Sequence, residues 1–87
     1  MTFTKDPNAV LDYTIDWIRW LAGDQIATSE WLVPTGLTKM ADTNTASSAT
    51  VWLSGGTAGQ SYTATNRITT AGGRTEDRSF TVRVEER

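Results

Sequence analysis

The 87-residue sequence contains no cysteine and no histidine. The first absence excludes disulfides, Cys-based zinc sites and a disulfide-stapled secreted scaffold. The second removes the commonest metal ligand and the commonest general base at neutral pH. Excess charge of either sign is also missing. Eight Lys and Arg against ten Asp and Glu give a formal net charge of −2, with the signs interleaved along the chain. No basic stripe exists to track phosphates, so nucleic acid is not an expected partner. No apolar run approaches the ~18 residues of a membrane-spanning helix, and no membrane partner is expected. The start, MTFTKDPNAV, lacks the basic-then-apolar pattern of a signal peptide. These readings fit a soluble protein assembled inside a cell, folded as one domain over residues 1–87. A domain of this size buries only ~60% of the surface its unfolded chain exposes, so its stability margin is thin.

What the sequence does have is strand patterning. From Gln60 to Glu85 the chain reads as one long antiparallel hairpin. Tyr62, Ala64, Asn66 and Ile68 share one parity, and Thr63, Thr65, Arg67 and Thr69 the other. In the second arm Phe80, Val82 and Val84 face one way, and Ser79, Thr81, Arg83 and Glu85 the opposite way. Period-2 alternation marks half-buried strands. Between the arms, Ala71-Gly72-Gly73-Arg74 supplies adjacent glycines for the positive φ of a tight turn.

Ahead of the hairpin, Met1–Thr4 is extended and Lys5-Asp6-Pro7-Asn8 is a turn. Leu11, Tyr13, Ile15 and Trp17 then alternate with Asp12, Thr14 and Asp16 as a one-sided strand. Residues 18–22 break the alternation. They read as a helical turn or wide corner whose Trp20 or Leu21 plugs the end of the core. Gln25–Val33 is a strand in which Ile26 and Trp31 have opposite parity, which a bulge between them resolves. Pro34-Thr35-Gly36 is a turn, Leu37–Thr43 a weaker strand, and Asn44–Ser48 a polar turn. In Ala49–Ser54, Val51 and Leu53 point inward and Trp52 outward. Gly55–Gly59 is a glycine-rich corner, and Glu86-Arg87 a polar end. A corner glycine followed by Tyr62 is similar to the tyrosine corner of immunoglobulin-like domains. Six or seven short strands with at most one helical turn predict an all-β, immunoglobulin-like antiparallel sandwich.

Little in the sequence carries chemistry. Asp12 and Asp16 share a strand face but lie ~13 Å apart, too far to act on one bond. Asp6, Asp24 and Asp42 are single acids in or near turns, where Asp accepts local backbone hydrogen bonds. Their spacing matches no calcium loop. The stretch LSGGTAG fits neither the phosphate-loop nor the dinucleotide pattern and precedes no helix. Serines and threonines have no histidine to activate them, and nothing supports a serine–lysine pair with Lys5 or Lys39. No catalytic, metal-binding or cofactor-binding residue is therefore expected, and no cofactor. Arg78 shares parity with Phe80 and points toward the core side near one end, where a guanidinium seeks a bidentate carboxylate. Trp17 and Trp31 belong to the core. Trp20 and Trp52 are surface aromatics of the kind enriched at interaction hot spots. Arg67 and Arg83 are the outward charges of the long hairpin. Trp20, Trp52, Arg67 and Arg83 together form the expected protein interface.

Three stretches, KDPNAVLDYTIDWIRWLAGDQIATSEW, GLT and VWLSGGTAGQSYTATNRITTAGGRTEDRSFTVRV, together resemble a family of small virion proteins of tailed bacteriophages and prophages. These are described as fibre–tail adaptor or minor structural proteins with an immunoglobulin-like sandwich. The similarity runs from Lys5 to Glu85, with DYTIDW, LSGGTAG, YTATNRITT and DRSFT as its more specific pieces. The resemblance implies a non-enzymatic adaptor that joins the tail or head–tail connector to fibres or tailspikes by docking. It implies connector, tail or fibre chains as partners, several copies in a symmetric assembly, and a place in the virion after assembly in the bacterial host cytoplasm. A capsid decoration protein is the second reading. A glycan-binding adhesion module is the third, and requires Trp20 and Trp52 close together on one platform.

Overall fold

Alternating apolar side chains become seven strands and one helical turn in the computed structural model, which describes residues 2–86. They are β1 (Thr2–Lys5), β2 (Leu11–Asp16), α1 (Ile18–Leu21), β3 (Ile26–Leu32), β4 (Leu37–Asn44), β5 (Ser48–Gly55), β6 (Ser61–Thr70) and β7 (Thr75–Val84). The start of the expected extended lead, at residue 1, and the close of the expected polar end, at residue 87, lie outside the described residues. One sheet has the order β1-β7-β6-β3 and the other β2-β5-β4. All pairings are antiparallel except β1 with β7, which is parallel. This is the strand order of an immunoglobulin-like sandwich with the first strand set beside the last. The sequence marked residues 2–4 as extended but held no signal for that parallel pairing.

The inner faces meet as the parity predicts, except that Leu11, at the start of β2 and of the same parity as Tyr13, is exposed. Tyr13, Ile15, Trp17, Val51, Leu53, Ala64, Ile68, Phe80, Val82 and Val84 are all buried. Trp31 on β3 is buried too, the place of the conserved tryptophan in immunoglobulin domains. Tyr62 closes the expected tyrosine corner, its hydroxyl accepting the Thr57 N–H at 2.9 Å. Ala64, two residues on, is fully buried where such domains carry their second cysteine. Phe80 lies at the centre of an aromatic cluster, with Phe3, Tyr13 and Trp31 at centroid distances of 5.4, 5.2 and 5.8 Å.

One polar residue sits among these apolar neighbours. Asn66 has no solvent exposure, and every polar atom of its amide has a partner. Its Oδ1 accepts the Trp17 indole N–H at 2.9 Å. Its Nδ2 donates to Ser29 Oγ at 2.9 Å and to the Glu30 carbonyl at 3.0 Å. The bond to Trp17 links the two sheets, and the bonds to β3 tie neighbouring strands.

Four details differ from the sequence expectation. Lys5 is no turn residue. It ends β1 with no solvent exposure, and its Nζ donates to the Asp6 carbonyl at 2.8 Å and the Gly55 carbonyl at 2.7 Å. Burial pushes its pKa down, with Asp6 opposing. Arg78 has the expected parity but finds no carboxylate among the described residues. It is exposed, with its guanidinium 4.3 Å from the Trp17 ring centroid and Nη1 donating to the Asp16 carbonyl at 3.2 Å. An aromatic face and a carbonyl satisfy a guanidinium at a sandwich end without desolvating an ion pair. In the β6–β7 turn only Gly73 has positive φ, at 88°. Gly72 instead leaves room for the Asp24 carboxylate, which a Cβ there, 2.7 Å from Oδ2, would displace. Finally, besides the expected β3 bulge, between Ile26 and Thr28, β4 carries a second between Lys39 and Ala41.

Candidate functional site

The structure distributes the four expected interface residues over three surfaces. Trp52 lies on the outer face of the three-stranded sheet, opposite Asp12 on β2 and Ala41 on β4. It is 41% exposed, as its strand parity requires. The β4 bulge inserts Met40 beside Ala41, and Met40 is 59% exposed. Sequence reasoning missed Met40. Its only signal was an apolar residue inside the polar run TKMADTN, at the parity opposite to buried Leu37. Asp12 is exposed and makes no ion pair among the described residues. The result is an apolar spot bordered by a free carboxylate.

Trp20 occupies a different place. α1 puts it at the end of the sandwich where β2 finishes and the β6–β7 turn arrives. It is half-buried, edge-on to Trp17 with centroids 5.4 Å apart. The Arg74 guanidinium covers its face at 4.3 Å. Arg74 is held there by Asp24 Oδ2 at 3.3 Å and by the Leu21 carbonyl at 2.7 Å. Arg74, Trp20, Trp17 and Arg78 therefore form a continuous ladder of two cations and two indoles. Thr70 first, then the Gln25 N–H, with the Gly72 N–H and Arg74 adding to them, hold the Asp24 carboxyl below the usual carboxylate range. Leu21, at 1% exposure, is the core plug of this turn. A glycan platform shared by Trp20 and Trp52 has no geometric basis. One indole is capped by arginine at a sandwich end, and the other stands on a sheet face four residues along β2 from that end.

Arg67 and Arg83 lie on the outer face of the four-stranded sheet. Arg67 sits across from Asp77 and Glu30. It grips Asp77 with two bonds, Nε to Oδ1 at 2.9 Å and Nη2 to Oδ2 at 3.0 Å, and approaches Glu30 at 3.8 Å. Each partner responds. The Asp77 carboxyl is shifted down and the Arg67 guanidinium up by their mutual hydrogen bond. Arg83 donates Nε to Glu85 Oε1 at 2.6 Å. Serines and threonines fill the rest of this face, with Thr65–Ser79 and Thr69–Thr75 hydroxyl pairs bridging β6 and β7. Both arginines are thus already partnered in the free chain, whereas Trp52 is not.

A family model described as podophage GP4 fiber-tail adaptor protein gp77 matches residues 5–83. No curated protein matches the chain.

Proposed function

The chain belongs to the podophage GP4 fiber-tail adaptor protein gp77 family, and on that premise we propose that it works by docking, without catalysis, as a link between the phage tail or its connector and the fibres. The observation that carries this reading is the match over residues 5–83, which spans β2 to β7 apart from the last residue of β7 and takes in only the last residue of β1. The geometry supports it further. Trp52 and Met40 put unpartnered apolar surface on a rigid sheet face, the composition and placement of a hot spot. The amine of buried Lys5 is committed to two main-chain carbonyls. A small rigid sandwich present in several copies gains avidity from symmetry even if each contact is weak. Partner binding also stabilises a small domain by mass action.

Electron cryo-microscopy of purified phage particles at residue resolution tests this. A ring of these chains contacting tail or connector on one side and fibre on the other is the expected result. Density confined to the capsid lattice would replace the adaptor by a decoration protein. Absence from the particle would remove the docking role altogether.

A further inference from the structure

Pairing within the sandwich leaves one cation and one strand acid over. Among the described residues Lys39 pairs with Asp42, Arg67 with Asp77 and Glu30, Arg74 with Asp24, and Arg83 with Glu85. Main-chain carbonyls hold Lys5 and Arg78. Arg19, exposed on α1, is the described cation with neither an ion pair nor a side-chain hydrogen bond. Of the strand acids outside these pairs, Asp16 accepts the Ile18 N–H and Glu76 the Asp77 N–H. Only Asp12, on the outer face of the three-stranded sheet, has no partner among the described residues. Asp12 and Arg19 do not meet within one copy. Asp12 stands ~13 Å from Asp16 along β2, and Arg19 follows the end of that strand.

Each of the two also has exposed apolar neighbours. Ile18, next to Arg19, is 54% exposed. Asp12 lies across from Trp52, with Met40 at the bulge on the strand beyond. The α1 corner thus offers an aliphatic side chain and a cation, and the sheet face offers an indole, a thioether and a carboxylate. The chain already joins such groups inside itself. The Arg74 guanidinium lies 4.3 Å from the Trp20 ring centroid while its Nε bonds Asp24 Oδ2 at 3.3 Å. Trp52 and Asp12 set out the same indole and carboxylate on adjacent strands, and no cation of the described residues covers Trp52.

We infer that the Trp52 face receives the Ile18–Arg19 corner of a second copy of this chain. Arg19 stacks on Trp52 and pairs with Asp12, and Ile18 packs against Met40. The cation that the face lacks is the one that the chain leaves unused. The contact joins unlike surfaces, so it repeats head to tail and closes a ring where the rotation allows. It is small: a stacked guanidinium, a surface ion pair and one aliphatic contact give a weak association between free copies. Copies held side by side on one particle strengthen it through their effective concentration.

That last step rests on the docking role proposed above, and the test separates the two. NMR spectra of the isolated chain are compared between about 0.1 and 2 mM, the range in which a weak contact fills. The Trp52 indole N–H and the Arg19 Nε–H should shift together as concentration rises. Asp12→Arg and Arg19→Asp each change an exposed residue, so both chains should keep the parent unfolding midpoint. Each alone should lose the shifts, a weakening of roughly tenfold or more. Mixing labelled Asp12→Arg with unlabelled Arg19→Asp puts opposite charges back across the contact and should restore the Trp52 shift. Constant spectra over the whole range, with no response to mixing, would overturn the inference. So would Trp52 shifts that persist in Arg19→Asp. In particles imaged at residue resolution, the Ile18–Arg19 corner should lie against a neighbouring copy's Trp52. Trp52 covered by a tail or fibre chain instead would overturn the self-contact and leave the adaptor role standing. Absence of the chain from particles removes the adaptor role, while the solution spectra still decide the contact.

Discussion

Single residues hold this sandwich together at a few polar points, and Asn66 is the first. Its parity with Tyr62, Ala64 and Ile68 was legible in the sequence, but its partners were not. Period-2 alternation assigns a face and says nothing about which distant indole will meet an amide. Replacing Trp17 by Phe removes the donor to Asn66 Oδ1 and leaves part of the buried indole volume unfilled. The orphaned acceptor should cost about 1–3 kcal/mol, the lost volume adds to it, and both are read as a lower urea midpoint with an unchanged slope. Asp24 is the second point, and its effect depends on pH. Its folded-state pKa is lowered by Thr70, Gln25, Gly72 and Arg74. A depressed carboxylate pKa gives stability that is present above the unfolded value, ~3.9, and lost as pH falls through the folded value. Urea midpoints taken from pH 6 downward should therefore drop on approach to that window. Asp24→Asn should begin lower at neutral pH and lose less on acidification. Equal acid loss in both proteins would show that Asp24 is not a source of it.

At the scale of elements, β1 and the glycine corner show where sequence reasoning stops. The strands of the long hairpin declare themselves because each turns one apolar face inward. β1 has four residues and pairs with a strand far along the chain, so alternation had too little length to register. Its last residue, Lys5, is charged and looked like a turn, whereas two main-chain carbonyls satisfy its ammonium inside the protein. Lys5→Met keeps the packing volume but leaves the Asp6 and Gly55 carbonyls without that donor. Loosening of β1 should follow, seen as faster exchange of the Glu85 amide, which bonds the Lys5 carbonyl. Unchanged exchange there would mean that Phe3 alone holds the strand. The corner glycines separate in the same way. Both Gly56 and Gly59 have positive φ, but a Cβ on Gly56 would come within 2.6 Å of Val84 Cγ2, while at Gly59 it meets open space. Gly59→Ala should cost ~1 kcal/mol from backbone strain alone. Gly56→Ala should cost clearly more, because Val84 is buried and has no room to yield.

For the whole molecule, the question is which surface the fold needs and which it leaves for others. The four-stranded face spends its charges internally, since Arg67 is bonded to Asp77 and Arg83 to Glu85. Exposed pairs of this kind contribute little to stability, and breaking them for a partner costs correspondingly little. The three-stranded face keeps Trp52 and Met40 in water, where neither strengthens the core. The outward parity of Trp52 was readable from ATVWLS. Its companion was not, because which residues of β4 come to lie beside Trp52 is set by strand pairing and its bulge rather than by local sequence. Trp52→Ala separates the two demands. The indole contributes no core packing from its outward position, so the unfolding midpoint should move by less than about 1 kcal/mol, the range for surface substitutions plus some lost cross-strand contact. If this face is the docking surface, the same change should weaken incorporation into particles by tenfold or more, since truncating a central interface tryptophan commonly costs at least ~2 kcal/mol. Loss of folding would instead mean that the three-stranded sheet leans on Trp52 against Asp12 and Ala41. Normal folding with normal incorporation would move the interface off this face.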